Sequence, residues 1–229
     1  MKIMYHWDLE NPKTYNNKMG YYKTLTEMNF IEKYVKAPMD ILDIGGGSGR
    51  FAIPLIKSGN NVTIIDKSPE AQKIALERFP EIDYKIGDFM ELELDYEKCF
   101  DIILSIEVLL YINDLKSYFN KIHRLLRNNG LFIFSVTNGS SWRYVLRRIK
   151  EIVKLDEDYH YTILSHKNYL SIIKECKFKI EDVNGFLWAL CSYNSNSFWV
   201  NIYTSLEKVL KLDRYISQSP WLLYAVKKD

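Results

Sequence analysis

Glycines and carboxylates carry the chemistry that can be read from this sequence. In Ile41-Leu42-Asp43-Ile44-Gly45-Gly46-Gly47-Ser48-Gly49-Arg50, four glycines fall within five positions, although the whole chain holds only 10. The residues before the loop read as a strand over 39–44, and Phe51 opens what reads as a helix. Glycine reaches positive φ without penalty and has no Cβ to hold a ligand away. A helix start adds unpaired N–H groups and partial positive charge. Such a loop suits the polar or anionic part of a nucleotide-like cofactor. Asp66 and Asp88 follow, each about one strand-plus-helix unit further on. A carboxylate only accepts hydrogen bonds, so two neighbouring hydroxyls can both donate to one.

The elements that would position these residues are a repeating series. Residues 1–18 read as an irregular arm, and a helix is expected over 19–36, stopped at Ala37-Pro38. After the glycine loop, a helix to about Ser58 ends at Gly59. A strand at 61–65 reaches Asp66, and Ser68-Pro69-Glu70 opens a helix to about Phe79. A strand over 82–86 leads to Gly87-Asp88-Phe89, and Phe100–Ser105 reads as the fourth strand. Asn113 or Asp114 caps a helix expected to run to about Asn128, closed by Asn129-Gly130. Leu131–Val136 reads as the fifth strand. Near-continuous apolar strands alternating with helices imply an α/β, doubly wound, mostly parallel sheet covered on both faces. In such sheets ligands bind at the carboxyl ends of the strands. Gly45–Gly49, Asp66, Asp88 and Ser105–Val108 all fall there.

The 229 residues suffice for one filled domain, and a net charge of +2 gives no bulk reason for nucleic acid or a membrane surface. Cys99, Cys176 and Cys191 are far apart, with no CxxC, which argues against a disulfide framework or a zinc site and fits a reducing cytosol. No apolar run has the length of a membrane span. The reading is a cytoplasmic protein without membrane or metal.

A dinucleotide loop prefers Gly-x-Gly-x-x-Gly, but Arg50 stands where the third glycine belongs. Asp43-Ile44-Gly45-Gly46-Gly47-Ser48-Gly49 instead resembles the first motif of the class I S-adenosylmethionine-dependent methyltransferases. Gly87-Asp88-Phe89, Phe100–Leu109 and Leu125–Leu131 resemble that family's later motifs in order, over roughly residues 35–137. The resemblance implies a Rossmann-like fold with a seven-stranded sheet whose last strand is antiparallel. It implies S-adenosylmethionine as cofactor and S-adenosylhomocysteine as product. Gly45, Gly46, Gly47 and Gly49 would lie against the methionine portion. Asp43 would either fix the loop or reach the amino group. Asp66, with Lys67 beside it, would take the ribose hydroxyls, Asp88 the adenine amine, and Phe89 the ring. Backbone groups near Ser105 and Ile106 would complete the methionine end. Tyr111 stands where many members carry His, which leaves a catalytic role there open.

Beyond Val136 the chain is less generic. Trp142–Lys154 reads as a helix bearing Arg143, Arg147, Arg148 and Lys150, either a solvated basic face or a lid meeting an anionic group. Asp158-Tyr159-His160-Tyr161 follows, then a helix over 166–176 capped by Ser165. The arrangement resembles quinone-biosynthetic and other small-molecule methyltransferases. It makes His160 the candidate base or orienting group, set against a purely structural role in the lid. Closing strands are expected at 179–186 and 220–226. The aromatic stretch 187–219, with a helix over 205–212, would line a pocket or form a dimer contact. The organisation expected over 1–229 is a single domain: arm and helix to residue 36, cofactor core 37–137, lid insert 138–176 and closing strands 177–229. The function expected is methylation of a small organic acceptor at O, N or C by a monomer or homodimer. The alternative is a nucleic-acid or protein methyltransferase docking through the basic helix face.

Overall fold

The computed structural model describes residues 17–95, 99–151, 162–191 and 195–229. In chain order these form α1 (Lys18–Glu32), β1 (Asp40–Ile44), α2 (Ala52–Lys57), β2 (Asn61–Asp66), α3 (Pro69–Arg78) and β3 (Asp83–Ile86). They continue with β4 (Phe100–Ser105), α4 (Leu115–Leu125), β5 (Leu126–Thr137), α5 (Trp142–Glu151), α6 (His166–Glu175), β6 (Phe178–Phe186), α7 (Trp199–Val209) and β7 (Trp221–Lys228). One sheet of seven strands has the order β3-β2-β1-β4-β5-β7-β6, and β7 runs antiparallel to both its neighbours. The remaining pairings, β3 through β5, are parallel. This is the Rossmann-like methyltransferase architecture implied by the motifs.

Strand alternation sorts the core into two layers. Ile41, Ile102, Leu104, Ile133 and Leu223 face Phe30 and Ile31 of α1, Leu55 of α2 and Val200 of α7. Leu42, Ile103, Phe132, Phe134 and Tyr224 face Phe119 and Ile122 of α4 and Tyr169 of α6. Phe119 meets Phe132, Phe134 and Phe178 edge-on, at ring centroids 5.1, 5.3 and 6.1 Å apart. Such pairs each add roughly 0.5–1.5 kcal/mol beyond area burial.

Helix starts follow the expected chemistry. Ser68 accepts from Ala71 N–H with Pro69 in the first turn, Asp114 accepts from Ser117 N–H, and Ser165 accepts from Asn168 N–H. Three boundaries differ from expectation. α4 stops at Leu125 and 126–130 already belongs to β5, where Leu126 pairs with Phe100 and Arg127 bonds Asp40 and Asp101 at 2.6 and 2.5 Å. α1 ends at Glu32, short of the expected 36. α7 begins at Trp199, six residues before the expected start, because Val200 is needed in the core while Trp199 stays 58% exposed. Among the described residues no helix is long and apolar enough to cross a membrane, and no group of metal-ligating side chains comes together.

Candidate active site

The carboxyl ends of β1, β2 and β4 surround a cavity of about 350 Å³. Ile44, Gly45, Ile65, Asp66, Lys67, Asp88, Phe89, Ile106, Glu107, Val108 and Tyr111 line it. Seven of the residues singled out in the sequence therefore meet at one place: Gly45, Asp66, Lys67, Asp88, Phe89, Ile106 and Tyr111.

The glycine loop is built as a close approach. Gly45, Gly47 and Gly49 have φ of 70°, 53° and 81°. A Cβ on Gly45 would stand 2.3 Å from Val108 Cγ2, and one on Gly46 2.7 Å from Asp43 Oδ2. A Cβ on Gly49 would stand 2.8 Å from Ile53 Cγ1, so Gly49 is the packing glycine that the sequence reading missed at position 50. Only Gly45 of the four reaches the cavity wall.

Asp66 is a brace as well as a wall. Its Oδ2 accepts from Gly47 N–H at 2.9 Å and its Oδ1 from Ser68 N–H at 2.9 Å, which ties the loop to the start of α3. Each carboxylate oxygen keeps a further lone pair for a ligand. Tyr84 supports the same loop by donating its hydroxyl to Gly47 O at 3.0 Å. At the rim Asp88 pairs with Lys67 at 2.7 Å and accepts from Met90 N–H at 2.8 Å. Burial pushes the Asp88 carboxyl up, but the Lys67 and Met90 hydrogen bonds and the charges of Lys67 and Lys121 outweigh it and hold it below the usual range.

Ser105 does not point into the cavity. Alternation along β4 turns it toward α4, where its hydroxyl lies 2.8 Å from that of Tyr118, fully buried. Only its backbone can serve a ligand. His160 lies outside the described residues, as does the rest of 152–161 in the proposed lid insert. Arg143 is engaged elsewhere: its guanidinium donates to Ala189 O and, at 2.6 Å, to Cys191 O, pinning α5 to the segment after β6. Tyr22, Phe198 and Trp199 line no part of the cofactor cavity, and Phe198 and Trp199 are exposed.

What sequence reading missed is a buried ionic cluster beside the loop. Asp43 shares its sheet face with Ile41 and is 1% exposed; its Oδ2 has no hydrogen-bond donor. Burial raises its pKa to about 7 against the pull of Arg50, with Asp66 pushing further up. Arg50 bonds Glu107 at 2.7 Å and lies 3.8 Å from Glu27. Lys23 pairs with Glu107 at 2.6 Å and stacks over Trp221 at 3.8 Å. Glu107 itself sits at φ 66°, with its N–H donated to Ser135 Oγ at 2.9 Å. The signal was available: Lys23 and Glu27 are charged residues at i and i+4 on the otherwise apolar inner face of α1.

Comparison with known proteins now adds to this geometry. Residues 42–134 match the family described as the methyltransferase domain. A ubiquinone biosynthesis O-methyltransferase of Xanthomonas oryzae is 24% identical over 197 residues, covering 80% of this chain and 79% of the relative. One of the same description from Rickettsia akari is 32% identical over 112 residues, 47% of this chain and 44% of its own. The fold is shared with a Mesorhizobium loti S-adenosylmethionine-dependent methyltransferase, at TM-score 0.65 and 21% identity over 87% of this chain and 96% of that one. It is shared too with the magnesium protoporphyrin IX methyltransferase of Synechocystis, solved with S-adenosylhomocysteine, at TM-score 0.66 and 14% identity over 95% and 86%.

Residues 42–134 thus carry a methyltransferase domain, and the fold is the one shared by S-adenosylmethionine-dependent methyltransferases. The donor fits the site on this structure's own terms, since a Cβ on Gly45, Gly46 or Gly49 would clash and Asp43 beside the loop keeps a buried carboxylate oxygen without a donor.

Proposed function

We propose that this enzyme methylates a small organic acceptor, with the donor held in the cavity at the ends of β1, β2 and β4. The observation that carries the reading is the meeting of Gly45, Asp66 and Asp88 on one wall, with apolar Ile44, Ile65, Phe89 and Ile106 between them. Asp66 takes the ribose hydroxyls, Asp88 the adenine amine, and Phe89 packs on the ring. Gly45–Gly49 lies against the methionine part, with Gly46, Gly47 and Gly49 setting the loop's shape. The bound donor supplies an activated methyl group with a leaving group already in place. The chain's task is then to align the acceptor and exclude water. Relatives named for ubiquinone O-methylation favour a hydroxyl oxygen as acceptor. Such an acceptor needs a base, for which His160 and Tyr111 are the candidates.

Docking of nucleic acid or protein through the basic helix face is disfavoured, because Arg143 is spent on backbone carbonyls. Cys176 and Cys191 stand as thiols among the described residues and support a reducing compartment, which we take to be the cytosol. Calorimetry with S-adenosylhomocysteine against NAD tests the cofactor site. Tight binding of the first alone is expected, with Asp66→Ala and Asp88→Ala each weakening it at least tenfold. Unchanged affinity in Asp66→Ala would sink the ribose assignment. For the acceptor side, full turnover by His160→Ala on an identified substrate would remove His160.

A further inference from the structure

A second cavity, of about 430 Å³, lies behind α1 and shares no lining residue with the cofactor cavity. α1 runs between this cavity and the ionic cluster beside the glycine loop. Tyr22 and Thr26 line the second cavity, whereas Lys23 and Glu27, one position on in each case, reach Glu107 and Arg50.

The chemistry of this cavity is unbalanced. Lys208, Lys211 and Arg214 converge on it from the end of α7 and the short 3₁₀ turn that follows. None of the three has an ion-pair partner among the described residues. Of the two lining carboxylates, Asp213 pairs with none of them. Glu207 is 4% exposed and already accepts from Leu187 N–H at 3.0 Å, from Trp188 N–H at 3.2 Å and from the Tyr22 hydroxyl. On the β6 side Asn184 lines the same cavity, and its Oδ1 has no hydrogen-bond donor. The lining thus asks for two things in one molecule: an anion for three cations and an O–H or N–H for Asn184. A dianion with several oxygens satisfies three separate cations better than a single carboxylate does.

We propose that this cavity is a second ligand site, binding a phosphate monoester of a small hydroxyl-bearing molecule, and that its occupancy acts on the cofactor site through α1. The phosphate meets Lys208, Lys211 and Arg214, and a hydroxyl donates to Asn184. Fixing Tyr22 and Thr26 fixes the helix that carries Lys23 and Glu27 to the glycine loop.

Calorimetry on the full chain at low salt tests this, with glycerol 3-phosphate as probe, glycerol lacking the anion and succinate supplying carboxylates instead. Saturable binding of glycerol 3-phosphate, none of glycerol and weaker binding of succinate are expected. Lys208→Gln/Lys211→Gln/Arg214→Gln should lose at least tenfold in affinity while keeping its melting temperature. The exposed control pair Lys57→Gln/Lys73→Gln should lose nothing. Saturating glycerol 3-phosphate should shift the Kd for S-adenosylhomocysteine at least twofold, and Asn184→Ala should weaken the probe without touching that Kd in its absence. No saturable binding, equal binding by the triple variant, or an equal loss in the control pair overturns the site. Tighter succinate binding overturns the phosphate assignment, and an unmoved Kd overturns the coupling.

Discussion

Glu27 offers the sharpest test of the ionic cluster behind the glycine loop. It is 0% exposed, and neither carboxylate oxygen has a hydrogen-bond donor. Burial first, and then repulsion from Glu107, raises its pKa from the ordinary 4.5 to about 8, against the pull of Lys23 and Arg50. At neutral pH the folded chain therefore keeps a proton on Glu27 that the unfolded chain releases. The unfolded state then binds fewer protons, so stability falls as pH rises. The stabilisation is complete below about 4.5 and is lost as pH climbs toward about 8. The limiting slope is roughly 1.4 kcal/mol per pH unit. Glu27→Gln mimics the neutral carboxyl and has no such slope. Its stability should match the parent near pH 4.5 and exceed it increasingly above, by on the order of 2–3 kcal/mol two units higher. Urea unfolding of both proteins at intervals from pH 4.5 to 9 reads the gap directly. A gap that stays flat over that range would refute a protonated Glu27. So would a variant several kcal/mol less stable than the parent at pH 5, since that is the signature of a buried ion pair broken on one side.

Other residues give independent checks. Gly49→Ala forces a Cβ onto φ 81° and against Ile53, so unfolding free energy should fall by about 2 kcal/mol or more, measured by chemical denaturation. Gly45→Ala aims its Cβ at Val108 in the cavity wall, and it should weaken S-adenosylhomocysteine binding by tenfold or more in calorimetry. Asn138→Ala removes Nδ2 donations to Ser217 O and Ser219 O at 3.1 and 3.0 Å beside a fully buried position, a loss of roughly 1–3 kcal/mol seen as a lower melting temperature. Ser68→Ala deletes the α3 cap and should cost about 1 kcal/mol.

The parallel half of the fold was legible because it rests on local signals. Apolar strands, Ser68 and Asp114 caps, and Gly59 at φ 93° each declare themselves within a few residues. The carboxylates at strand ends were legible for the same reason, since topology alone brings Asp66 and Asp88 to the end where the glycines lie. Where tertiary packing overrides local pattern, the reading failed. Asn129-Gly130 looks like a helix terminator, yet Asn129 takes φ 63° in an irregular part of β5, between Leu126, which pairs with Phe100, and Leu131, which pairs with Ile102, and Arg127 makes its ion pairs there. The aromatic stretch after β6 reads as a pocket wall or a dimer contact, and its helix turns Trp199 to solvent while Val200 and Glu207 are buried.

Arg50 shows why the cluster was the hardest part to see. From the motif it is a departure from a dinucleotide loop, a negative statement. In the fold it is 5% exposed, stacks its guanidinium 4.5 Å over Phe51, and joins Glu107 from the end of β4 to Glu27 from α1. The three residues lie on three elements separated by 23 and 57 positions from the loop, so no window of sequence contains their relation. A charge placed directly behind a glycine loop needs a partner; Glu107 supplies it, and the first helix holds Glu107 through Lys23. That makes α1 a brace behind the cofactor site, acting through Glu107, as well as a cover for the sheet. Loosening α1 should therefore weaken the donor before it unfolds the chain. Lys23→Met keeps the apolar stem under Trp221 but leaves Glu107 to Arg50 alone. Its expected signature is a several-fold weaker Kd for S-adenosylhomocysteine, with loss of amide-exchange protection confined to α1. Loss of protection spread evenly over the sheet would instead make α1 part of the common core.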